Sequence, residues 1–235
     1  MIWKGLNIQT KNGIYPPKPA SLLLAEIAIK IAKPDQKILD ACCGSGIVGI
    51  AISKFVQNTT VVASDINPKA IEAAKRNAKK NNVKIKAVQS ELFAQFSDDE
   101  FDLIAIHPPA VPYLPGQTWG MSKGMTIATN GGEDGSKLVV RSIIEAKRCL
   151  KKNGKLLLLL PHWSNTKKAF EALRSNYQKV SELARERIDF FPVLEGKPSA
   201  QLLEYTYELA KKGEITIEFD NQIPHSYASV IEALK

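Results

Sequence analysis

The stretch that most constrains the fold runs from Lys37 to Gly49 and reads K-I-L-D-A-C-C-G-S-G-I-V-G. Apolar residues lead to an acid and two cysteines, and three glycines then open an apolar helical pattern. This order predicts a strand that ends in a tight turn and feeds a helix. Gly44 and Gly46 allow turn angles closed to other residues and let a ligand approach the main chain. The helix starting near Ile47 would direct unpaired N–H groups at that ligand, so the sequence predicts a nucleotide-type cofactor site.

Strand and helix patterns alternate along most of the chain. Strands are predicted at 37–41, 59–64, 83–88, 101–106, 155–160, 182–191 and 214–220. Helices are predicted at 20–32, 47–55, 68–80, 136–152 and 166–175, with 200–211 open between helix and strand. This alternation predicts an α/β, Rossmann-like, doubly wound fold with a mostly parallel seven-stranded sheet and helices on both faces.

The domain organisation follows from the length and from two irregular regions. A chain of 235 residues suits one sizeable domain, so residues 1–235 are expected to form a single unit. Residues 1–35 hold a proline-rich lead and a helix, and the stiff lead suits either a flap across the site or a surface connection. Residues 107–132 carry glycines and prolines without periodicity, and we expect them to form a substrate loop.

Composition limits the location and the class of partner. The segment 1–10 lacks signal-peptide order, and the longest aliphatic run, 156–160, is far too short to span a membrane. Three cysteines without metal-ligand spacing favour a reducing cytoplasm and predict no metal site. The net charge of +8 is concentrated at 75–86 and 147–155, and it fits either solvated helix faces or attraction to RNA, a ribosome or another acidic partner.

Polar residues stand at the carboxyl ends of five predicted strands. Ligands of open α/β sheets bind beyond these ends, so the fold would bring the five positions together. They are Asp40, Asp65, Glu91, His107 and the pair Pro161-His162.

The acids decide between two cofactors that the glycines alone leave open. G-x-G-x-x-G with Asp65 downstream also satisfies the fingerprint of nicotinamide dehydrogenases, because the acid would bind a ribose diol in either case. Asp40 would repel a pyrophosphate but attract the ammonium of a methionine moiety, and Glu91 suits an adenine amino group. Three carboxylates around a cationic sulfonium ligand therefore favour S-adenosylmethionine.

The motifs D-A-C-C-G-S-G, S-D-I-N-P-K-A-I-E-A-A-K-R-N and S-E-L-F followed by F-D-L-I-A-I-H-P-P resemble class I S-adenosylmethionine-dependent methyltransferases. G-G-E-D-G and the lead G-I-Y-P-P-K-P-A-S-L-L-L are similar to the short form of the HemK-like glutamine methyltransferases, which modify release factors and ribosomal proteins. The resemblance covers about 13–163. It implies S-adenosylmethionine as cofactor and S-adenosylhomocysteine as product. The residues expected at the cofactor are Asp40, Cys42, Gly44, Gly46, Asp65, Ile66, Glu91, Leu92 and His107.

The chain departs from this family where the acceptor is held. Related enzymes carry Asn-Pro-Pro-Tyr after the fourth strand, whereas residues 107–110 here read His-Pro-Pro-Ala. A neutral imidazole can accept one N–H, or it can act as a base for a hydroxyl or ammonium target. Ala110 removes the stacking ring, which Tyr113 or Trp119 would have to supply from the loop. The catalytic candidates are His107, Pro108, Pro109 and Tyr113.

Together these features predict a methyltransferase that N-methylates a protein side chain on a translation factor or ribosomal protein. An RNA base or a small molecule as acceptor are alternatives, and a cofactor-binding pseudoenzyme is an alternative of another class. The resemblance also implies that a small activating subunit can be required, while the oligomeric state stays open.

Overall fold

The computed structural model describes residues 1–10, 13–189, 200–220 and 223–235. The strands are β1 (Ile2–Trp3), β2 (Leu6–Asn7), β3 (Lys37–Ala41), β4 (Thr60–Asp65), β5 (Lys86–Gln89), β6 (Phe101–Ile106), β7 (Leu150–Pro161), β8 (Lys179–Asp189), β9 (Glu218–Asp220) and β10 (Ile223–Leu234). The helices are α1 (Pro19–Ile31), α2 (Ile47–Phe55), α3 (Pro68–Lys80), α4 (Lys123–Thr129), α5 (Lys137–Cys149), α6 (Thr166–Asn176) and α7 (Ala200–Lys211). No helix within these ranges combines the length and apolar character needed to cross a membrane.

The main sheet has the order β5-β4-β3-β6-β7-β10-β8. The first five strands pair in parallel, and β10 runs antiparallel to both β7 and β8. The doubly wound, mostly parallel α/β fold is thus confirmed. The order reverses between β3 and β6, which places a crevice at the carboxyl ends of these central strands.

The predicted number and position of the last strands are wrong. Within the part of the chain that the structure describes, the main sheet has eight strands, because the short β9 pairs with β10 outside the main path. The predicted strand at 214–220 shrinks to β9, and the true partner of β7 is β10, which the sequence did not indicate. Its buried serines obscure the strand pattern, but Ser226 donates to the Thr216 carbonyl and Ser229 donates to Glu182. Residues 190–191 of the predicted strand 182–191 lie outside the described residues.

The predicted helix 136–152 ends too late. Helix α5 stops at Cys149, and Leu150 is already extended, pairing with Phe101 in the sheet. Asn153 does take a left-handed φ of 62°, but it lies within β7 and does not cap the helix. Pairing with β6 outweighs the local helical pattern. Region 200–211 is helical, and residues 107–132 contain the short helix α4.

Strand β7 shows how the two faces of the sheet are covered. Its five consecutive leucines are fully buried, with Leu157 and Leu159 facing one apolar cluster and the other three facing a second. Helices α1 and α2 contribute to the first cluster, and α5 and α6 contribute to the second. Burial on both faces explains the uniform aliphatic run, as in other parallel sheets.

Asn77 of α3 and Asn81, which directly follows the helix, fasten the N-terminal segment to the fold. The buried Asn77 side chain accepts the Gln9 N–H at 3.0 Å and donates to the carbonyls of Gln9 and Ser45. Asn81 makes a matching pair of bonds with the Asn7 backbone. Asn77 therefore ties the N-terminal segment to both α3 and the glycine turn.

Replacing Asn77 tests this connection. We expect Asn77→Ala to lower the free energy of unfolding by about 2–4 kcal/mol, because buried backbone groups lose their partners. Urea denaturation of the full chain measures the loss. Lys75→Ala, at an exposed position of the same helix, is the matched control and should change stability by less than about 0.5 kcal/mol. Equal effects of the two changes would contradict the assigned role.

Candidate functional site

A cavity of about 210 Å³ opens at the carboxyl ends of the parallel strands. Its walls come from the residues that directly follow β3, β4, β5, β6 and β7, together with the proline-rich lead before α1. Of the predicted site residues, the cavity is lined by Asp40, Cys42, Gly44, Asp65, Ile66, Glu91, Leu92, His107, Pro108 and Pro109. Gly46 and Tyr113 lie outside this lining.

The glycine turn joins β3 to α2 with three left-handed residues. Cys42, Gly44 and Gly46 have φ values of 53°, 52° and 82°, which are strained for residues other than glycine. Gly46 faces α3, where an added Cβ would lie 3.0 Å from the Cβ of Ala74. Gly46 thus permits close packing of the turn on α3, while Gly44 faces the cavity.

Asp40 is the most buried acid of the site, with 2% of its surface exposed. Its Oδ2 accepts the Gly49 N–H of α2 at 2.8 Å. An added Cβ at Gly49 would lie 3.1 Å from that oxygen, so glycine lets the helix approach the carboxylate. Burial raises the pKa of Asp40 to about 7, the Gly49 N–H opposes the rise, and the nearby Asp65 adds to it. The site therefore carries a carboxylate that a cation would stabilise.

Asp65 stands at the end of β4 and bonds two parts of the site. Its Oδ2 accepts the Gly44 N–H at 3.0 Å, and its Oδ1 accepts the Asn67 N–H at 2.9 Å. Burial raises the pKa of Asp65, and the backbone N–H donors partly offset this rise. The acid thereby orders the glycine turn and still lines the cavity.

Glu91 is more exposed than the other two acids. Its Oε1 accepts a hydrogen bond from Arg141 Nη1 of α5 at 2.6 Å, and both residues line the cavity. The neighbouring Leu92 is buried, whereas Ile66 after β4 leaves 47% of its surface exposed. The pair formed by Glu91 and Arg141 therefore lies at the rim of the cavity.

His107 directly follows β6 and lies among polar side chains. Its Nδ1 lies 3.5 Å from the Ser21 Oγ of α1, and Tyr15 packs edge-on against its ring at 6.1 Å between centroids. Burial lowers the pKa of His107 to about 4, so the imidazole is neutral at physiological pH. Tyr15 and Ser21 were not singled out from the sequence, because the lead and α1 carry no periodic signal that places them against β6.

Tyr113 does not take the place that Ala110 leaves open. Its hydroxyl lies 2.7 Å from the Thr129 Oγ1 of α4, and its ring packs against Trp119. Both rings are buried in the loop 107–132, and neither lines the cavity. Tyr113 orders the loop, while the ring nearest to His107 comes from Tyr15. His162 also lies outside the cavity lining, with its Nε2 2.8 Å from the Ser229 Oγ.

Comparison with known proteins identifies the class of this site. Residues 6–114 match the family described as the methyltransferase small domain. A "Putative protein N5-glutamine methyltransferase" from Methanocaldococcus jannaschii is 30% identical over 187 residues, which cover 80% of this chain and 92% of the relative. The chain belongs to the HemK-like family of S-adenosylmethionine-dependent methyltransferases.

Two further comparisons show how much of the sequence and of the fold is shared with other proteins. A release factor glutamine methyltransferase from Clostridium botulinum is 34% identical over 113 residues, or 46% of this chain and 40% of that enzyme. The match therefore spans less than half of that relative. The crystal structure of the YcgJ protein from Bacillus subtilis has a TM-score of 0.64 at 16% identity and covers 91% of this chain and 98% of its own. This last likeness shows the fold alone.

The enzyme uses S-adenosylmethionine, and the chemistry of the cavity fits this cofactor. The ligand carries an ammonium group and a sulfonium, and the cavity offers the carboxylates of Asp40, Asp65 and Glu91. Among the interactions of the described residues, the buried Asp40 has no cationic partner. The turn also brings backbone close to the cavity at Gly44. A nicotinamide cofactor, whose pyrophosphate is anionic, does not suit a cavity lined by these carboxylates.

The burial of Asp40 predicts a pH-dependent stability. Its pKa in the folded enzyme is about 7, above that of an unfolded aspartate, so folding takes up a proton between pH 4 and pH 7. The stability that this protonation contributes is lost as the pH rises through this window. We expect Asp40→Asn, without cofactor, to match the parent near pH 4 and to be more stable by roughly 4 kcal/mol at pH 8, because a difference of one pKa unit corresponds to about 1.4 kcal/mol.

Urea denaturation across this pH range measures the difference between parent and variant. Asp35→Asn, at an exposed position with the same change of functional group, is the control and should show a constant difference. A stability gap for Asp40→Asn that stays flat between pH 4 and pH 8 would show that the carboxylate is not destabilised by burial.

Proposed function

We propose that this enzyme methylates the side-chain amide nitrogen of a glutamine in a protein of the translation machinery. The observation that carries the proposal is the contrast between the two ends of the cavity. Its three carboxylates come from β3, β4 and the segment after β5, whereas the segment after β6 presents the neutral His107 and the Pro108-Pro109 backbone. The relatives from Methanocaldococcus jannaschii and Clostridium botulinum are both named as glutamine methyltransferases.

The surroundings of His107 suit an uncharged acceptor. Apolar side chains of Val111, Ile127, Leu138 and Trp163 line the cavity beyond the two prolines. An ammonium group there would lack a carboxylate partner and would carry a high desolvation cost. A carboxamide is neutral and planar, and its N–H groups need acceptors rather than a strong base. His107 and the backbone carbonyls at Pro108-Pro109 provide acceptors of this kind.

The acids hold the cofactor in this proposal. Asp40 pairs with the ammonium group, and Asp65 accepts the ribose hydroxyls. Ile66 and Leu92 pack against the adenine, with Glu91 at its amino group. Cys42, Gly44 and the rest of the turn bound the methionine moiety, and Gly46 keeps the turn against α3. Bound S-adenosylmethionine supplies a methyl group on a positively charged sulfur that leaves as a neutral thioether.

The chain's own residues position the acceptor for an in-line transfer. His107 accepts one amide N–H and the Pro108-Pro109 backbone accepts another, which turns the nitrogen lone pair toward the methyl carbon. The new N–C bond forms as the C–S bond breaks, and the bonding electron pair stays on sulfur. The extra proton on nitrogen leaves through the His107 hydrogen bond to water. Because the pKa of His107 is only about 4, the imidazole passes this proton on without retaining it.

We also propose how the chain is organised, which protein it modifies and where the reaction takes place. Residues 1–235 act as one catalytic unit, with residues 14–17 of the lead covering the cofactor cavity and residues 107–132 shaping the acceptor pocket. The acceptor is a release factor or a ribosomal protein, and the reaction takes place in the cytoplasm. If the isolated chain binds the cofactor but transfers no methyl group, a small activating subunit is needed for activity.

Methyl transfer to cell fractions tests the proposed acceptor. The enzyme, S-adenosylmethionine carrying a labelled methyl group, and total protein, total RNA or small-molecule fractions are incubated separately. The proposal predicts label in protein, and mass spectrometry of the digested product should find N5-methylglutamine. Label in RNA or in small molecules alone would overturn it.

Substitution of His107 tests how the acceptor is held. We expect His107→Asn to retain methyl transfer, because an amide oxygen accepts the same N–H, and His107→Phe to lower kcat at least about 100-fold. Binding of S-adenosylhomocysteine, measured by calorimetry, should stay close to that of the parent in both variants. Loss of cofactor binding in both would assign His107 to the cofactor instead.

The pH profile separates positioning from base catalysis. Because the pKa of His107 is lowered to about 4, the parent and His107→Asn should show the same dependence of kcat between pH 6 and pH 9. A base with an ordinary imidazole pKa would give an inflection near pH 6.5 that disappears in the variant.

A further inference from the structure

The structure distinguishes the two basic runs of the sequence. In the run 147–155, basic side chains are matched by acids from neighbouring strands and loops. The pairs are Arg148–Asp98 at 2.6 Å, Lys151–Asp102 at 2.9 Å and Lys155–Glu232 at 2.7 Å. Three of the five cations in this run are therefore neutralised by ion pairs.

The other basic run has no comparable neutralisation. Residues 66–90 contain seven basic residues and one acid, so they hold a net charge of +6 out of the +8 of the whole chain. The basic residues are Lys69, Lys75, Arg76, Lys79, Lys80, Lys84 and Lys86, and all of them are exposed. Within the described residues, the ion pair found for this set is Lys75 with Glu72, the one acid of the segment. We call this surface the α3–β5 edge.

The fold fixes the direction in which these charges point. Helix α3 buries its alanines and Ile71, and Asn77 together with Asn81, which follows the helix, forms hydrogen bonds to the N-terminal segment. The opposite face therefore carries the cations, with Arg76, Lys79 and Lys80 in adjacent turns. Lys84, which precedes β5, and Lys86, its first residue, continue the surface to the outermost strand of the sheet.

The α3–β5 edge extends away from the cofactor cavity. Ile66, Asn67 and Ala70 line the cavity at the start of α3, and none of the seven basic residues does. Lys80 lies about 20 Å from Asn67 along the helix, at a rise of about 1.5 Å per residue. A partner bound along this edge leaves the cavity open to an acceptor.

We propose that the α3–β5 edge binds the phosphate backbone of RNA and docks the enzyme on an RNA-containing assembly, whichever acceptor enters the cavity. A row of closely spaced lysines and arginine on a helix matches the repeating charge of a nucleic acid. Residues 66–90 contain no aromatic residue for stacking on bases, so binding depends on phosphates rather than on sequence.

Two other roles, protection of the sheet edge and attachment to a membrane, explain fewer features of this surface than RNA binding does. Lysines on an edge strand discourage pairing between sheets, which explains Lys84 and Lys86 but not the cations of α3. A membrane-binding helix would also expose large apolar side chains beside its cations. On α3 the large apolar residue Ile71 is buried.

Fluorescence anisotropy with a labelled RNA hairpin tests the proposal on the full chain. The patch variant combines Arg76→Glu, Lys79→Glu and Lys80→Glu. The control variant combines Lys152→Glu, Lys179→Glu and Lys212→Glu, at exposed positions outside the edge and with the same change of net charge. We expect the patch variant to weaken RNA binding by about tenfold or more and the control by about threefold or less, and the salt dependence to flatten in the patch variant alone.

Further measurements make each outcome decisive. The set Arg76→Gln, Lys79→Gln and Lys80→Gln removes charge without adding acids at the helix end and should give a smaller loss in the same direction. Thermal unfolding and binding of S-adenosylhomocysteine should match the parent in every variant. Equal losses in patch and control, absence of RNA binding by the parent, or equal binding of polyglutamate or of anionic lipid vesicles would overturn the proposal. None of these readouts depends on glutamine methylation, whose failure would appear separately in the transfer assay.

Discussion

The burial of one carboxylate, that of Asp40, organises the rest of the site. The oxygen that faces α2 accepts the Gly49 N–H, and the helix can approach so closely because Gly49 has no side chain. This single hydrogen bond does not compensate for the removal of the charge from water, so the pKa of Asp40 rises to about 7. A cationic ligand relieves the cost. The same arrangement that destabilises the free enzyme therefore favours a sulfonium cofactor over an anionic dinucleotide.

A second constraint acts on the proposed acceptor side of the cavity. His107 directly follows β6, and burial keeps its imidazole neutral. The ring lies near Ser21 and Tyr15, which belong to α1 and its lead, so the segment before the Rossmann-like core helps to position His107 in the cavity. Positioning by hydrogen bonds, rather than proton abstraction, is the chemistry that a neutral imidazole and backbone carbonyls support.

The elements whose bounds were predicted correctly are those that depend on residues close together in the sequence. Strand β3 and helix α2 have the predicted bounds, because capping, glycine turns and apolar runs act over a few residues. Strand β10 was missed, since its buried serines are tolerated only through partners contributed by β8 and the segment before β9. The acids at the strand ends followed from topology. The contacts of Tyr15, Ser21 and Arg141 with the site depend on long-range packing that no pattern in one sequence encodes. Tyr113 lies within the loop 107–132 because its hydroxyl forms a hydrogen bond with Thr129.

The ionisation of Asp40 is the most direct test of this account. NMR titration of the Asp40 carboxyl carbon, assigned by comparison with Asp40→Asn, measures the pKa with and without S-adenosylhomocysteine, whose ammonium group is retained. The account predicts a midpoint near pH 7 in the free enzyme and a clear shift to lower pH in the complex. A midpoint near that of an exposed aspartate in both states would contradict the claim that a buried, unpaired carboxylate selects the cofactor.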